Sequence, residues 1–222
     1  AVEKACTELR SRICAIAAEM MNCEPEAVVM ESGKVRKIDT NQTVSLTDIA
    51  YKAQVNNTIP AEATATHSSP VSPPPYMVGM VEIELDKLTG LVTILDYMAV
   101  VDCGIPINPA LARIQTEGGI VQGIGHTLME NVTYDSHGKP AERSFMQYKL
   151  PTRLDMGTLR VEFEHSYEPT GPFGAKSIGE IVINTPAPAI AHAIARATGV
   201  WHRELPITPE KVAMSVAEQA MG

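Results

Sequence analysis

The sequence predicts an α+β fold of mixed strands and helices in two sub-regions, and three observations carry that prediction. Apolar residues recur at helical spacing in some segments and alternate in others, so both element types are present. The two types follow one another without a regular βαβ alternation, which argues against a doubly wound parallel sheet. A polar, proline-rich stretch at residues 56–76, "NNTIPAEATATHSSPVSPPPY", has no period and separates residues 1–55 from 77–222. It reads as a linker, or as an extended arm laid over a surface. A chain of 222 residues with 45% hydrophobic and 20% charged side chains is long and apolar enough to bury a core.

The elements follow in order. Residues 2–22 carry Cys6, Leu9, Ile13, Ile16 and Met20 at helix spacing. "AVVMESGKVRKI" alternates around Ser32-Gly33 and predicts a hairpin. "SLTDIAYKA" fits a short helix capped by Ser45. In the second sub-region "MVGMVEIELD" and "LVTILDYMAVVDCG" flank "KLTG", a second hairpin. Residues 110–130 predict a buried helix whose stripe is Ile114, Gly118, Val121, Gly125 and Leu128, with glycines where another backbone comes close. "NVTYDSHGKPAERSFMQY" suggests a hairpin turning at His137-Gly138, and "LRVEFEHS" a strand. Two closing helices start at Thr185 and Thr208, each with proline at the first helical position.

Composition excludes several function classes. A net charge of -8 argues against nucleic acid or an anionic membrane surface as the partner. No apolar run reaches the length of a membrane span. No signal-peptide pattern opens the chain, and the start at Ala1 reads as a processing or expression boundary. Cys6, Cys14, Cys23 and Cys103 show no C-x-x-C, so the chain is expected to supply no metal ligand and its thiols to be free and buried, in a cytoplasmic, reducing compartment. The six histidines show no H-x-x-x-H or H-E-x-x-H pattern, and no G-x-S-x-G elbow occurs. "EGGIVQGIG" has neither dinucleotide-loop nor Walker spacing and reads as a glycine-faced packing helix. Gln115, Glu117 and Gln122 lie on or beside it, either as polar neighbours of the core or as amides able to read a flat heterocycle.

"GPFGAKSIGE", residues 171–180, is a glycine-rich loop that ends on a carboxylate. Glu180 has a plain reading, as a partner of the positive end of the helix at Thr185. It also has a functional one. Glycines 171, 174 and 179 let the backbone approach a ligand and offer N–H groups to it. A carboxylate held there and shielded from water gains the proton affinity of a general base. On this reading Gly179 cannot carry a side chain.

These segments resemble a known family. "GPFGAKSIGEIVINTPAPAIAHAIARATGVWHRELPITPEKV" and "VVDCGIPINPALARIQTEGGIVQGIGHTLMENVTYD" are similar to the C-terminal portion of the molybdenum-cofactor-binding domain of the xanthine dehydrogenase and aldehyde oxidase family. The similarity runs more weakly along nearly the whole chain. It implies a hydroxylase that inserts water-derived oxygen at a carbon of a purine, another N-heterocycle or an aldehyde, with molybdenum held by a molybdopterin, often as a cytosine dinucleotide. Glu180, which ends "SIGE", takes the family's general-base role. Lys176, Ser177, Ile178 and Gly179 correspond to the segment along the cofactor, Gln115 to a pterin contact, and Gln122 to a further one.

Family subunits are much longer, and the upstream cofactor loop and substrate-pocket residues have no counterpart here. The resemblance therefore implies the last third of a subunit, holding half of a cofactor cleft. Its partners would be the remainder of that subunit and iron–sulfur and flavin (FAD) subunits or domains, in an oligomer acting on a small-molecule substrate. A non-catalytic assembly module that keeps the fold is the alternative.

Overall fold

The computed structural model describes residues 1–56 and 59–221. It divides into two compact units, Ala1–Pro70 and Val71–Gly222, and the division falls within the proline-rich stretch. No helix among the described residues is long and apolar enough to cross a membrane.

In the first unit a helix, α1 (Val2–Met20), precedes an antiparallel sheet of β1 (Val28–Glu31), β2 (Lys34–Lys37) and β3 (Thr43–Ser45), and α2 (Leu46–Asn56) follows. The β1–β2 hairpin turns at Ser32-Gly33 as expected, with Met30 opposite Val35. Ser45 caps α2: its hydroxyl accepts from the Asp48 N–H at 3.1 Å and donates to the Asp48 carboxylate at 2.6 Å. The core gathers Ile16, Ala17, Ala18 and Met21 against Val28, Val35, Ile49 and Ala53. Burial on α1 is thus confined to its C-terminal half. Cys6, on the other half, is exposed, which corrects the reading of all four thiols as buried: all are free, but Cys103 alone is buried.

The second unit is built on β4 (Tyr76–Leu85), β5 (Val92–Asp102) and β6 (Thr158–Phe163), in the order β4-β5-β6. β4 and β5 form the expected antiparallel hairpin, Tyr76 opposite Asp102 and Leu85 opposite Val92. β6 lies parallel to β5. A parallel neighbour needs a crossover, and α3 (Pro109–Leu128) supplies it. α4 (Pro186–Thr198) and α5 (Pro209–Met221) close the unit. One core joins the elements: Ile94, Tyr97 and Ala99 of β5, Val161 of β6, Ile120 and Ile124 of α3, Ile190 and Ile194 of α4, and Val212 of α5. Tyr97 is fully buried, and its hydroxyl is satisfied by Thr185 at 2.9 Å. Thr185 therefore uses its oxygen on the sheet rather than as a helix cap. Thr208 does cap α5, accepting from the Lys211 N–H at 3.3 Å.

Two expectations are corrected. The buried side of α3 is Ala112, Thr116, Gly119, Ile120, Gly123, Ile124, Gly125 and Thr127, whereas Ile114 and Gly118 are exposed. Of the expected stripe, Gly125 is buried and Val121 and Leu128 pack against the core, so the expectation fails at Ile114 and Gly118. The helix instead packs through small residues: a Cβ at Gly119 would stand 2.1 Å from Val182, and one at Gly123 2.7 Å from the Pro186 ring. Residues 131–148 form no strands. The chain turns at His137-Gly138, but only Tyr134 and Pro140 bridge, and Asp135 holds the turn by accepting from the N–H groups of His137 and Lys139. Its flanks lack alternating apolar residues, and Pro140 cannot donate to a ladder.

Candidate functional site

The site is set by the end of β5, the start of α3 and the 171–180 loop. β5 ends on Asp102, and Gly104 follows in a left-handed conformation (φ 68°). No other residue type fits there, since a Cβ would lie 2.3 Å from the Gly174 carbonyl. That close approach brings the loop alongside the end of the strand. Gly104 bridges Ala175, the Lys176 N–H donates to the Cys103 carbonyl at 2.7 Å, and the Ile105 N–H donates to Gly174 at 2.9 Å. α3 begins just beyond. Asn108 caps it by accepting from the Leu111 N–H at 3.1 Å, with Pro109 in the first turn.

Between loop and helix lies a depression of about 560 Å³. Ile105, Ile107, Leu111 and Ile178 give it apolar walls, and Gln115, Lys176 and Gly179 also line it. Four of the six cofactor contacts expected from the sequence thus meet in one cavity. The Gln115 side chain donates to the Gly179 carbonyl at 2.8 Å. The N–H groups of Ser177, Ile178 and Gly179 have no hydrogen-bond partner among the described residues. Ser177 itself is exposed and makes no side-chain bond. Gln122 is exposed further along α3, outside this cavity. A second depression, about 530 Å³, is lined by Ile114, Gly118 and Val121 with the 151–157 segment and contains none of the expected contacts.

Lys176 is committed elsewhere. Its side chain is 10% exposed, and its ammonium pairs with Asp102 at 2.6 Å and lies 5.5 Å from the centre of the Tyr76 ring. Asp102 also accepts from the Ser166 hydroxyl and the Gly104 N–H. Burial pushes the Asp102 carboxyl up, but Lys176, Ser166 and the Gly104 N–H together outweigh it and hold the carboxyl below its ordinary value. Asp102 is the node that ties loop to strand. Its signal in the sequence is an acidic residue closing an apolar strand two positions before a glycine.

Glu180 follows Gly179 in the chain and is not itself part of the cavity lining. It is exposed, and its carboxylate makes no hydrogen bond or ion pair among the described residues. It precedes a single 3-10 turn, Ile181–Ile183, without capping it, and its side chain makes no hydrogen bond to the start of α4. This chain does not supply the expected shielding from water. Nor does it require glycine at 179: a Cβ there meets nothing within 4 Å, and the backbone is not left-handed. A demand for glycine would have to come from a bound group. Among the described residues no three His, Cys, Asp or Glu side chains cluster as a metal site.

Comparison with known proteins gives a consistent result. Residues 1–157 match the family described as the molybdopterin cofactor-binding domain, a match that ends before the Glu180 loop. Similarity to curated proteins continues through the loop. The probable hypoxanthine oxidase XdhD of Escherichia coli (strain K12) is 37% identical over 216 residues, covering 96% of this chain and 22% of that protein. The 6-hydroxypseudooxynicotine dehydrogenase complex subunit gamma of Paenarthrobacter nicotinovorans is 36% identical over 221 residues, 96% of this chain and 28% of that one. Among solved structures, quinoline 2-oxidoreductase from Pseudomonas putida 86 superposes with a TM-score of 0.71 at 28% identity, covering 96% of this chain and 28% of its own. The chain thus spans between about a fifth and just over a quarter of the length of these relatives.

Proposed function

The chain belongs to the molybdopterin cofactor-binding family of xanthine dehydrogenase and aldehyde oxidoreductase molybdenum subunits, and from that premise we propose that it forms one wall of the cofactor cleft and carries the general base, Glu180, of a hydroxylase. The observation that carries this reading is the meeting of Gln115, Lys176, Ile178 and Gly179 in one depression, with Glu180 next in the chain after Gly179.

The residues present fit a flat, polar-edged cofactor. The apolar side chains of Ile105, Leu111 and Ile178 would hold a ring face, and three unpartnered N–H groups and the Gln115 amide would be available to polar atoms at its edge. The bound cofactor, as molybdopterin or its cytosine dinucleotide, supplies metal-centred oxygen transfer and two-electron redox chemistry. This chain's part is to hold and move a proton. The Glu180 carboxylate would accept the proton of the attacking hydroxyl as its oxygen bonds to the electrophilic carbon of an N-heterocycle or aldehyde, and the C–H bond at that carbon would break with its two electrons passing to the cofactor. The shielding such a base needs comes from the rest of the subunit, with iron–sulfur and flavin partners passing the electrons on.

Glu180→Gln keeps size and removes basicity. In the assembled enzyme it is expected to lower turnover by at least about 100-fold with molybdenum content unchanged. Near-normal turnover in a fully loaded variant would overturn the assignment and favour a non-catalytic assembly role.

A further inference from the structure

Past Lys176 the loop is nearly untethered. Its first arm is stapled to the end of β5 by the Lys176 and Ile105 N–H bonds and by the Lys176–Asp102 pair. From Ser177 to Gly179 no backbone N–H is bonded among the described residues, and the next backbone contact is Ile183 N–H to the Glu180 carbonyl at 3.2 Å. One side chain spans that gap: Gln115, through its 2.8 Å bond to the Gly179 carbonyl. Its platform is rigid. Ala112, Thr116 and Gly119 bury the adjoining face of α3, and Asn108 caps the helix.

We infer that Gln115 is the positioning residue for Glu180, because its amide N–H fixes the peptide group from which the Glu180 side chain departs. The Gly179 carbonyl and the Glu180 N–H lie in one peptide plane, so holding the oxygen sets the orientation of that plane and hence of the Cα that follows. Gln115 also lines the depression, and its amide oxygen makes no bond among the described residues. A primary amide offers two N–H donors and one acceptor. With one donor on the loop, the oxygen is left to accept from a donor on the edge of a bound heterocycle. The amide thereby registers the base against the bound ring, two groups that the backbone alone does not link. This inference rests on the reading of Glu180 as the base.

Gln115→Glu separates the two tasks. A carboxylate keeps the acceptor toward the depression but has no donor, and it sets an oxygen against the Gly179 carbonyl. In the assembled enzyme, molybdenum content, kcat and KM, and backbone hydrogen exchange across 177–182 are measured for Q115E, for E180Q and for the double variant. We expect Q115E to retain molybdenum, to exchange faster across 177–182, and to lose about 10- to 100-fold in kcat, the scale of a small misplacement of a reacting group. KM is expected to change by less than about threefold. Because Gln115 acts through Glu180, adding Q115E to E180Q should cost no further turnover. Unchanged exchange, or a rate loss that persists in full on the E180Q background, overturns the inference, as does molybdenum loss with an undisturbed loop. If E180Q alone retains turnover, it is the base reading that fails, and the exchange of Q115E by itself then decides whether Gln115 holds the loop.

Discussion

Asp102 and Lys176 show how a single ion pair can set the position of a loop. Both are largely buried, at 20% and 10% side-chain exposure, and the carboxylate has two further donors in Ser166 and the Gly104 N–H. Removing one member of such a pair leaves a charge with little solvent around it, a loss of about 3 kcal/mol or more in well-buried cases. Because some water still reaches Asp102, Lys176→Met is expected to lower stability by about 1–3 kcal/mol at neutral pH. The sign of its pH dependence follows from Asp102, whose folded carboxyl is held below its ordinary value. The stability it contributes is present above the unfolded carboxylate range, about pH 4, and is lost as the pH falls through the lower folded value. Urea midpoints of wild type and Lys176→Met should therefore converge on acidification, and a gap that stays constant with pH would show that the pair is not its source. The reach of the sequence is visible here. The spacing around Glu180 marked the loop, but the residue that anchors it lies 74 positions upstream of Lys176, at the end of a strand, where only folding reveals the pairing.

At the scale of elements, α3 carries the site because it can approach its neighbours closely. Its face toward Val182 and Pro186 is made of Gly119 and Gly123, and its opposite turn at Gly118 faces open space. Helix period identified the segment and its length. It misplaced part of the buried face, because hydrophobic bulk is a poor guide where the contact is between backbones: Ile114 is 65% exposed and Gly119 is buried. The two glycine classes predict opposite effects. Gly118→Ala should stabilise by about 0.5–1 kcal/mol, the helix propensity gain with no steric cost. Gly123→Ala should destabilise by about 1–3 kcal/mol, since its methyl would meet the Pro186 ring at 2.7 Å and the Ile183 carbonyl at 3.0 Å. Thermal or urea unfolding of the two variants is the check, and a destabilised Gly118→Ala would mean that this face is covered in the molecule. The 131–148 segment failed as a hairpin for a related reason. Turn chemistry at His137-Gly138 was legible and is real, but a turn makes a hairpin only when its flanks can pack.

For the molecule as a whole, the openness of the site is the informative feature. All of its described residues lie within the Val71–Gly222 unit, and both Gln115 and Glu180 are exposed there. The sheet is covered by helices on one face, while β4 leaves Tyr76, Val78 and Met80 exposed at 62%, 64% and 55%. A ligand the size of a molybdopterin is ordinarily held by burying most of its surface, and a single open depression encloses only a fraction of it. Affinity from one wall then falls well short of the whole, because ordering costs are met in full while contacts are only partly made. The 222 residues alone are accordingly expected to fold, given two well-formed cores, and to bind no stoichiometric molybdenum cofactor. The exposed apolar residues of β4 should instead promote self-association, or association with the remainder of the subunit. The decisive measurement is elemental molybdenum on the purified chain, taken together with its mass in solution. A folded monomer carrying one molybdenum per chain would show that this single wall is sufficient, and that Glu180 acquires its shielding from residues already present in the unit.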